Sequence, residues 1–316
     1  MQSHHSTTSS LARPLRLGTR ASPLAMAQAR LTAQALCSAH QWDESQIEII
    51  PVTASGDKVL DRPLADMGGK ALWTKELDHW LHDGTIDIAV HSMKDVETIR
   101  PESLIIGAML PRADVRDTLV GAASLAELPQ GARLGTSSPR RAAQVKRLRP
   151  DVETVLFRGN VARRLQRLAD MEADATLLAT AGLMRLGQQE IGIAVPVDVM
   201  LPAPAQGAIG IETLTSNAAV RALIATIDDA NTSDCVRMER AVLAGLGGTC
   251  HSPIAALATI QANNTVELRA EILSPDGAEY HRIDRVLHRR DERAAHELGL
   301  ELLSLASPTL RALFTP

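Results

Sequence analysis

A chain of 316 residues is long for one hydrophobic core, so two or three domains are expected. The apolar fraction of 45% is ordinary, but aromatic residues at 2% are very scarce, which argues against nucleic-acid binding through stacked rings and leaves the core to Leu, Ile, Val, Ala and Met. A net charge of −4 supplies no global field for polyanions. The 33 basic residues include only five lysines (Lys58, Lys70, Lys75, Lys94 and Lys146). Arginine offers a planar fork suited to carboxylates and phosphates. A GC-rich genome accounts for the total but not for where the arginines cluster.

In chain order, the polar opening "MQSHHSTTSS" lacks the hydrophobic segment of a secretory signal and reads as a disordered leader over residues 1–13. No apolar run reaches transmembrane length. Cys37, Cys235 and Cys250 are odd in number and lack metal-type spacing, which points to a reducing, cytoplasmic compartment. From Leu15 to about Ile211, short apolar runs alternate with helical patterns, the mark of βα units and a mostly parallel sheet. The expected strands are 15–18, 47–52, 86–91, 104–108, 132–135, 153–157, 175–179 and 207–212. The expected helices are 23–38, 73–83, 139–148, 160–171, 180–186 and 216–227.

The turn-rich "MLPRADVRDTLV" (109–120) is expected to carry the chain into a second lobe, and the Pro-rich "VPVDVMLPAPAQG" (195–207) to carry it back. Two crossings suit a hinge that closes over a ligand. Beyond residue 229 come a helix (233–246), a Gly-rich loop, strands at 254–260, 265–273 and 279–287, and a helix (291–305). The expected fold is therefore α/β with three domains: 14–110 plus 207–228, then 111–206, then a small α+β domain at 229–316 with a three-stranded antiparallel sheet.

One corner recurs. "LGTRASPLAMAQARL" (17–31) and "LGTSSPRRAAQVKRL" (134–148) both pass from an apolar run through Gly-Thr to Ser-Pro and a helical pattern. Ser22 and Ser138 suit the N-cap, and the prolines suit the first helical position. Such a helix start attracts anions, so Arg20, Arg140 and Arg141 beside it are tolerable where an anion binds. Arg158, Arg163 and Arg164 in "LFRGNVARRL" and Arg185 in "TAGLMRLG" also follow strands. In open sheets ligands bind beyond the carboxyl ends of strands, so these residues imply a cleft for a multiply charged anion. "IDIAVHSMKDV" (86–96) ends a buried strand in Lys94 and Asp95. In a basic cleft a lone carboxylate stays ionised and stabilises a cationic intermediate. His91 reads as structural, and His79 and His82 as surface residues. In "LAGLGGTCHSPIAA" (243–256), glycines leave Cys250 accessible as a nucleophile or attachment point.

These motifs, with "GDKVLDRPLADMGGKALWTKEL", "LPAPAQGAIGIE" and "ERAVLAGLGGTCHSPI", occur in the order found in the porphobilinogen deaminase (hydroxymethylbilane synthase) family, which the chain resembles from about Leu15 to its end. The resemblance implies two lobes like periplasmic binding proteins and a covalent dipyrromethane cofactor on Cys250 through a thioether. It implies head-to-tail condensation of four porphobilinogen molecules, ammonia being released each time, and then release of linear hydroxymethylbilane. Asp95 takes the catalytic role. Lys94, Ser138, Arg140, Arg141, Arg164 and Arg185 take the cofactor, and Arg20, Ser22, Arg158, Arg185 and Gln206 the substrate. Lys70 and Trp73 belong to a mobile loop. A monomer is expected, with no metal and no membrane or nucleic-acid partner, and with hand-over to uroporphyrinogen-III synthase as the one protein contact considered.

Pro139, Ala205, Thr249, Asp66 and Trp73 depart from the family's usual residues. A non-enzymatic anion-binding protein of the periplasmic type explains the lobes and arginines but not the third domain or Cys250. A phosphate-transfer enzyme lacks its P-loop.

Overall fold

A computed structural model describes residues 13–52, 71–248 and 252–314. The first sheet contains β1 (Leu15–Arg20), β2 (Ile47–Val52), β3 (Ile88–Ser92), β4 (Leu104–Met109) and β10 (Ile209–Leu214), in the order β2-β1-β3-β10-β4. The second contains β5 (Asp117–Val120), β6 (Arg133–Thr136), β7 (Glu153–Leu156), β8 (Ala175–Ala179) and β9 (Ile193–Ala194), in the order β7-β6-β8-β5-β9. In each sheet four strands run one way and one is reversed, β10 in the first and β5 in the second. The reversed strand is in both cases the first after a crossing. It enters directly from the other sheet, with no crossover helix to restore its direction.

Helices cover the sheets: α1 (Pro23–His40), α2 (Ala71–His82), α3 (Pro139–Leu148), α4 (Val161–Ala169), α5 (Thr180–Arg185) and α6 (Ala218–Ala225). Leu17, Ile88 and Ile211 pack against Leu36 of α1 and Ile224 of α6. Leu77 and Leu81 of α2, with Ile86, cover the other face. Cover on both faces fits the unbroken apolar run Ile88–Val90 of β3. The third unit comprises α7 (Ala230–Leu246), an antiparallel sheet of β11 (Ile254–Ile260), β12 (Thr265–Leu273) and β13 (Tyr280–His288), then α8 (Glu292–Leu305) and α9 (Pro308–Arg311).

Two strands went unanticipated. β5 lies inside the stretch expected to be a crossing, and β9 has only two residues. Both are held by pairing with each other and, for β5, with β8. Their order comes from partners distant in sequence, not from local propensity.

The two crossings run side by side. Leu110 N–H donates to Ile209 O at 3.1 Å and Ala113 N–H to Gly207 O at 3.3 Å. Arg112 Nε donates to Gln206 O at 2.9 Å, while its Nη atoms grip Glu239 of α7 at 2.7 and 2.9 Å. Glu239 also accepts from Ala205 N–H at 2.6 Å and Ala258 N–H at 2.8 Å. Ala205 has φ 62°, a left-handed conformation that favours glycine. The third unit is thus fastened to both crossings through one buried carboxylate.

Helices α7 and α8 cross where glycines face one another. A Cβ on Gly299 would lie 2.4 Å from Val242 O. Helix propensity favours alanine over glycine by about 1 kcal/mol. A backbone collision of this size outweighs that preference. Gly299→Ala is therefore expected to destabilise the protein by about 1–3 kcal/mol in urea denaturation. A stabilised variant would contradict the close crossing.

Candidate active site

The first rim of the cleft grows from β1 and β3. Ser22 Oγ accepts the Ala25 N–H at 3.3 Å and caps α1, with Pro23 at the first helical position. After β3, a 3-10 turn over Met93–Asp95 begins with the buried Met93 and leaves Asp95 half-buried at the rim. Arg20, Ser22, Gln28, Thr74, Ser92 and Asp95 line a cavity here. Beneath it, His91 Nε2 lies 3.0 Å from Glu212 Oε2, and Arg100 Nε lies 2.9 Å from Glu212 Oε1. Burial alone pushes the Glu212 carboxyl up, but His91 and Arg100 bring it from 4.5 down to about 2.

The second rim grows from β6, β7 and β8. Ser138 Oγ accepts the Arg141 N–H at 3.4 Å and caps α3 behind Pro139, repeating the first corner. Asn160 caps α4 by accepting the Arg163 N–H at 2.9 Å. Arg164 donates to Gly159 O at 3.0 Å and Ser137 Oγ at 3.2 Å, and Arg185 donates to Gly207 O at 2.6 Å. Burial lowers both guanidiniums to about 10, so both remain charged at neutral pH. For Arg164, Arg141 and Arg158 press in the same direction, while the charge of Asp95 opposes them. Asp95 from the first rim and three arginines from the second therefore share one field. Helices α1 and α5, from the two sheets, pack together beside it.

Arg140 and Arg141 are buried, and both are ion-paired with Asp117, at 2.8 and 2.7 Å. Arg140 donates further to Gln144 Oε1 and Leu201 O, and Arg141 to Leu177 O, each at 2.8 Å. Burial pushes the Asp117 carboxyl up. Arg140, Arg141 and Gln206 override that and hold it well below the usual carboxylate range. Gln206 Nε2 donates to Asp117 Oδ1 at 2.8 Å, and its Oε1 accepts from Lys94 Nζ at 3.2 Å. A continuous polar line thus joins Lys94 of the first rim to both arginines of the second.

Arg141 Nε and Arg158 Nη1 are buried without a hydrogen-bond partner among the described residues. Each unmet donor costs about 1–3 kcal/mol, a cost that a bound anion removes. Two arginines against one carboxylate at Asp117, with Arg158 and Arg164 nearby, leave an excess of positive charge. The cleft suits a polyanion with several carboxylates.

Lys70 and Cys250, the Trp73 side chain, and the departures Asp66 and Thr249 lie outside the described residues. The segment leading to Cys250 is placed as far as Gly248, whose carbonyl accepts from Thr98 Oγ1 at 3.5 Å, three residues past Asp95. Cys37 and Cys235 are free, and burial pushes the Cys235 thiol up to about 11, as suits a buried filler. His91 lines the cavity and pairs with Glu212, and His79 is exposed and makes a long 3.6 Å pair with Asp83. His82 bonds to Asp78 O and Ser103. Among the described residues no cluster of His, Cys, Asp and Glu could hold a metal.

Asp117, Arg112, Glu239 and Arg240 were not singled out from the sequence. Their partners lie 19 to 144 residues away, and no local pattern links them.

The ionised Glu212 stabilises the fold fully above about pH 4.5, and that contribution is lost as pH falls through about 2. Melting temperature is expected to drop across this window. Glu212→Gln should melt lower at pH 7 and show a shallower acid slope, read by circular dichroism. An unchanged slope would remove Glu212 from the acid response.

Comparison with known proteins gives two family matches. A model described as "Porphobilinogen deaminase, dipyromethane cofactor binding domain" matches residues 15–222, and the porphobilinogen deaminase C-terminal domain matches residues 233–306. Porphobilinogen deaminase of Sphingopyxis alaskensis is 57% identical over 306 residues, covering 95% of this chain and 96% of that one. The Paracoccus denitrificans protein of the same name is 50% identical over 276 residues, covering 86% and 88%. Among solved structures, a Salmonella typhimurium periplasmic binding protein is 14% identical, covers 70% of this chain and 94% of that one, and has a TM-score of 0.38.

Proposed function

Because the chain belongs to the porphobilinogen deaminase family, we propose that this cleft holds a chain of acidic pyrroles while Asp95 manages the charge and protons of its growth. The protein is a deaminating transferase, hydroxymethylbilane synthase. It joins four porphobilinogen molecules head to tail on a dipyrromethane cofactor and releases ammonia at each step. Family membership sets aside the simple anion-binding protein.

The observation that carries the assignment of roles is the shared field of Asp95, Arg141, Arg158 and Arg164. Each pyrrole unit brings an acetate and a propionate, so the bound chain gains two negative charges per step. Arg158, Arg164 and Arg185, with the helix starts at Ser22 and Ser138, are assigned to those carboxylates. Arg20 is assigned to the incoming substrate on the first rim. Lys94 and Gln206 carry the cofactor–substrate boundary between the lobes. Arg140, whose Nη atoms are already engaged by Asp117, Gln144 and Leu201, serves by holding Asp117 and the start of α3 in place.

When bound through a thioether to Cys250, the cofactor supplies a pyrrole carbon as the nucleophile. Loss of ammonia from porphobilinogen leaves a cation spread over its pyrrole nitrogen. Asp95 stabilises that cation at the N–H and takes up the proton released after carbon–carbon bond formation. Lys94, adjacent to Asp95 in sequence, is held by Gln206. The proposal places the enzyme in the cytoplasm as a monomer, with its product passed to uroporphyrinogen-III synthase. No helix among the described residues is long and apolar enough to cross a membrane.

Intact mass of wild type and Cys250→Ser tests the cofactor: an excess of two linked pyrrole units should appear only in the wild type. An unmodified wild type that stays so after porphobilinogen is added would end this reading. Asp95→Asn should fold and lose about 10²–10³-fold in kcat. Arg164→Leu should raise KM for porphobilinogen about 10- to 100-fold, the equivalent of one charged hydrogen bond.

A further inference from the structure

Asp95 sits on a short turn, and what fixes that turn comes from the third unit. Helix α7 presents Val236 and Arg240, one helical turn apart, to the residues around Asp95. Val236 is fully buried in a cluster with Met93 and Val96, the residues on either side of Lys94 and Asp95. Arg240 reaches past it to the backbone: Nη1 donates to Val96 O at 3.2 Å, and Nη2 donates to Glu97 O and to Thr98 O, the latter at 2.9 Å. All three acceptors follow Asp95 directly in sequence.

Arg240 is held by backbone alone. It has no carboxylate within ion-pair distance among the described residues, and its three bonds go to carbonyl oxygens. Burial lowers it to about 10, and Arg100 adds to that against a weaker pull from Glu212. A rigid guanidinium with three backbone acceptors fixes carbonyl positions in a way that a lysine ammonium matches only in part. Arg100, on the far side of the turn, is ion-paired with Glu97 at 2.6 Å, with Asp78 of α2 and with Glu212 at 2.9 Å. The turn is therefore held from two sides.

The same helix leads toward Cys250. It ends at the left-handed Gly247, and Gly248 O accepts from Thr98 Oγ1 at 3.5 Å. Arg240 and Thr98 tie the Asp95 turn to the helix end that precedes Cys250 by three residues.

We propose that Arg240 is a positioning residue. Through the carbonyls of Val96, Glu97 and Thr98 it sets where Asp95 stands relative to helix α7. This rests on the activity given above. Its removal shifts the carboxylate without touching a substrate group, and a misplacement of about 1 Å costs about 10²-fold in rate.

The experiment uses the holoenzyme and reads kcat, KM for porphobilinogen and melting temperature for wild type, Arg240→Met, Arg240→Lys and Val236→Ala. Arg240→Met should lose about 10²-fold in kcat with KM changed less than about threefold, and Arg240→Lys should recover about tenfold of that loss. Val236→Ala loosens the same helix face but keeps the guanidinium, so it should melt lower and keep kcat within about threefold.

Full kcat in Arg240→Met overturns the proposal. So does a lysine variant no better than methionine, or an equal kcat loss in Val236→Ala, since either means that only helix packing matters. Should the methionine variant not fold, the lysine variant carries the test, and unchanged kcat in it overturns the proposal. A wild type that fails to consume porphobilinogen refutes the functional reading itself, a separate outcome.

Discussion

Glu239 is wholly buried, and four N–H groups meet its carboxylate: two from Arg112 and the backbone amides of Ala205 and Ala258. The arginine belongs to one crossing, Ala205 to the other, and Ala258 to the third unit's sheet. A buried charge of this kind is tolerable only when fully paired, so the three segments must be together for any of them to be stable. The relative placement of the two sheets and of α7 follows from that requirement. The left-handed Ala205 is tolerated for the same reason, because its amide is one of the four donors.

The cleft shows the opposite condition. Around Asp117 and Asp95 there are more guanidiniums than carboxylates, and Arg141, Arg158 and Arg164 repel one another. The protein holds this imbalance because capped helix starts and paired strand ends fix where the arginines stand. Under the proposed assignment, a product that accumulates carboxylates would progressively neutralise the cluster.

Much of this was legible beforehand because it is local. Ser22-Pro23 and Ser138-Pro139 cap their helices as their residue types dictate, and both apolar strands that precede them are buried. The third unit's helix, three strands and helix appear close to the expected limits, since alternation and helical periodicity are strong in long segments. β5 and β9 were not legible: four residues beginning with Asp117, and two residues, carry too little pattern. Arg140 and Arg141 were read correctly as residues at a helix start, but their pairing with Asp117 depends on a strand from elsewhere in the chain.

The sequence by itself determined where strands give way to capped helices, that arginines follow those strands, and that the ordered motifs are those of the porphobilinogen deaminase family. These depend on neighbouring residues and on ordered motifs, which survive without a fold. Only the tertiary structure decided which carboxylate each arginine meets. It paired Arg140 with Asp117, joined Lys94 to Asp117 through Gln206, and brought Arg240 to the backbone behind Asp95 across 144 residues. Buried charges are paired by whatever the fold brings within about 3 Å, and chain order contains no record of that distance.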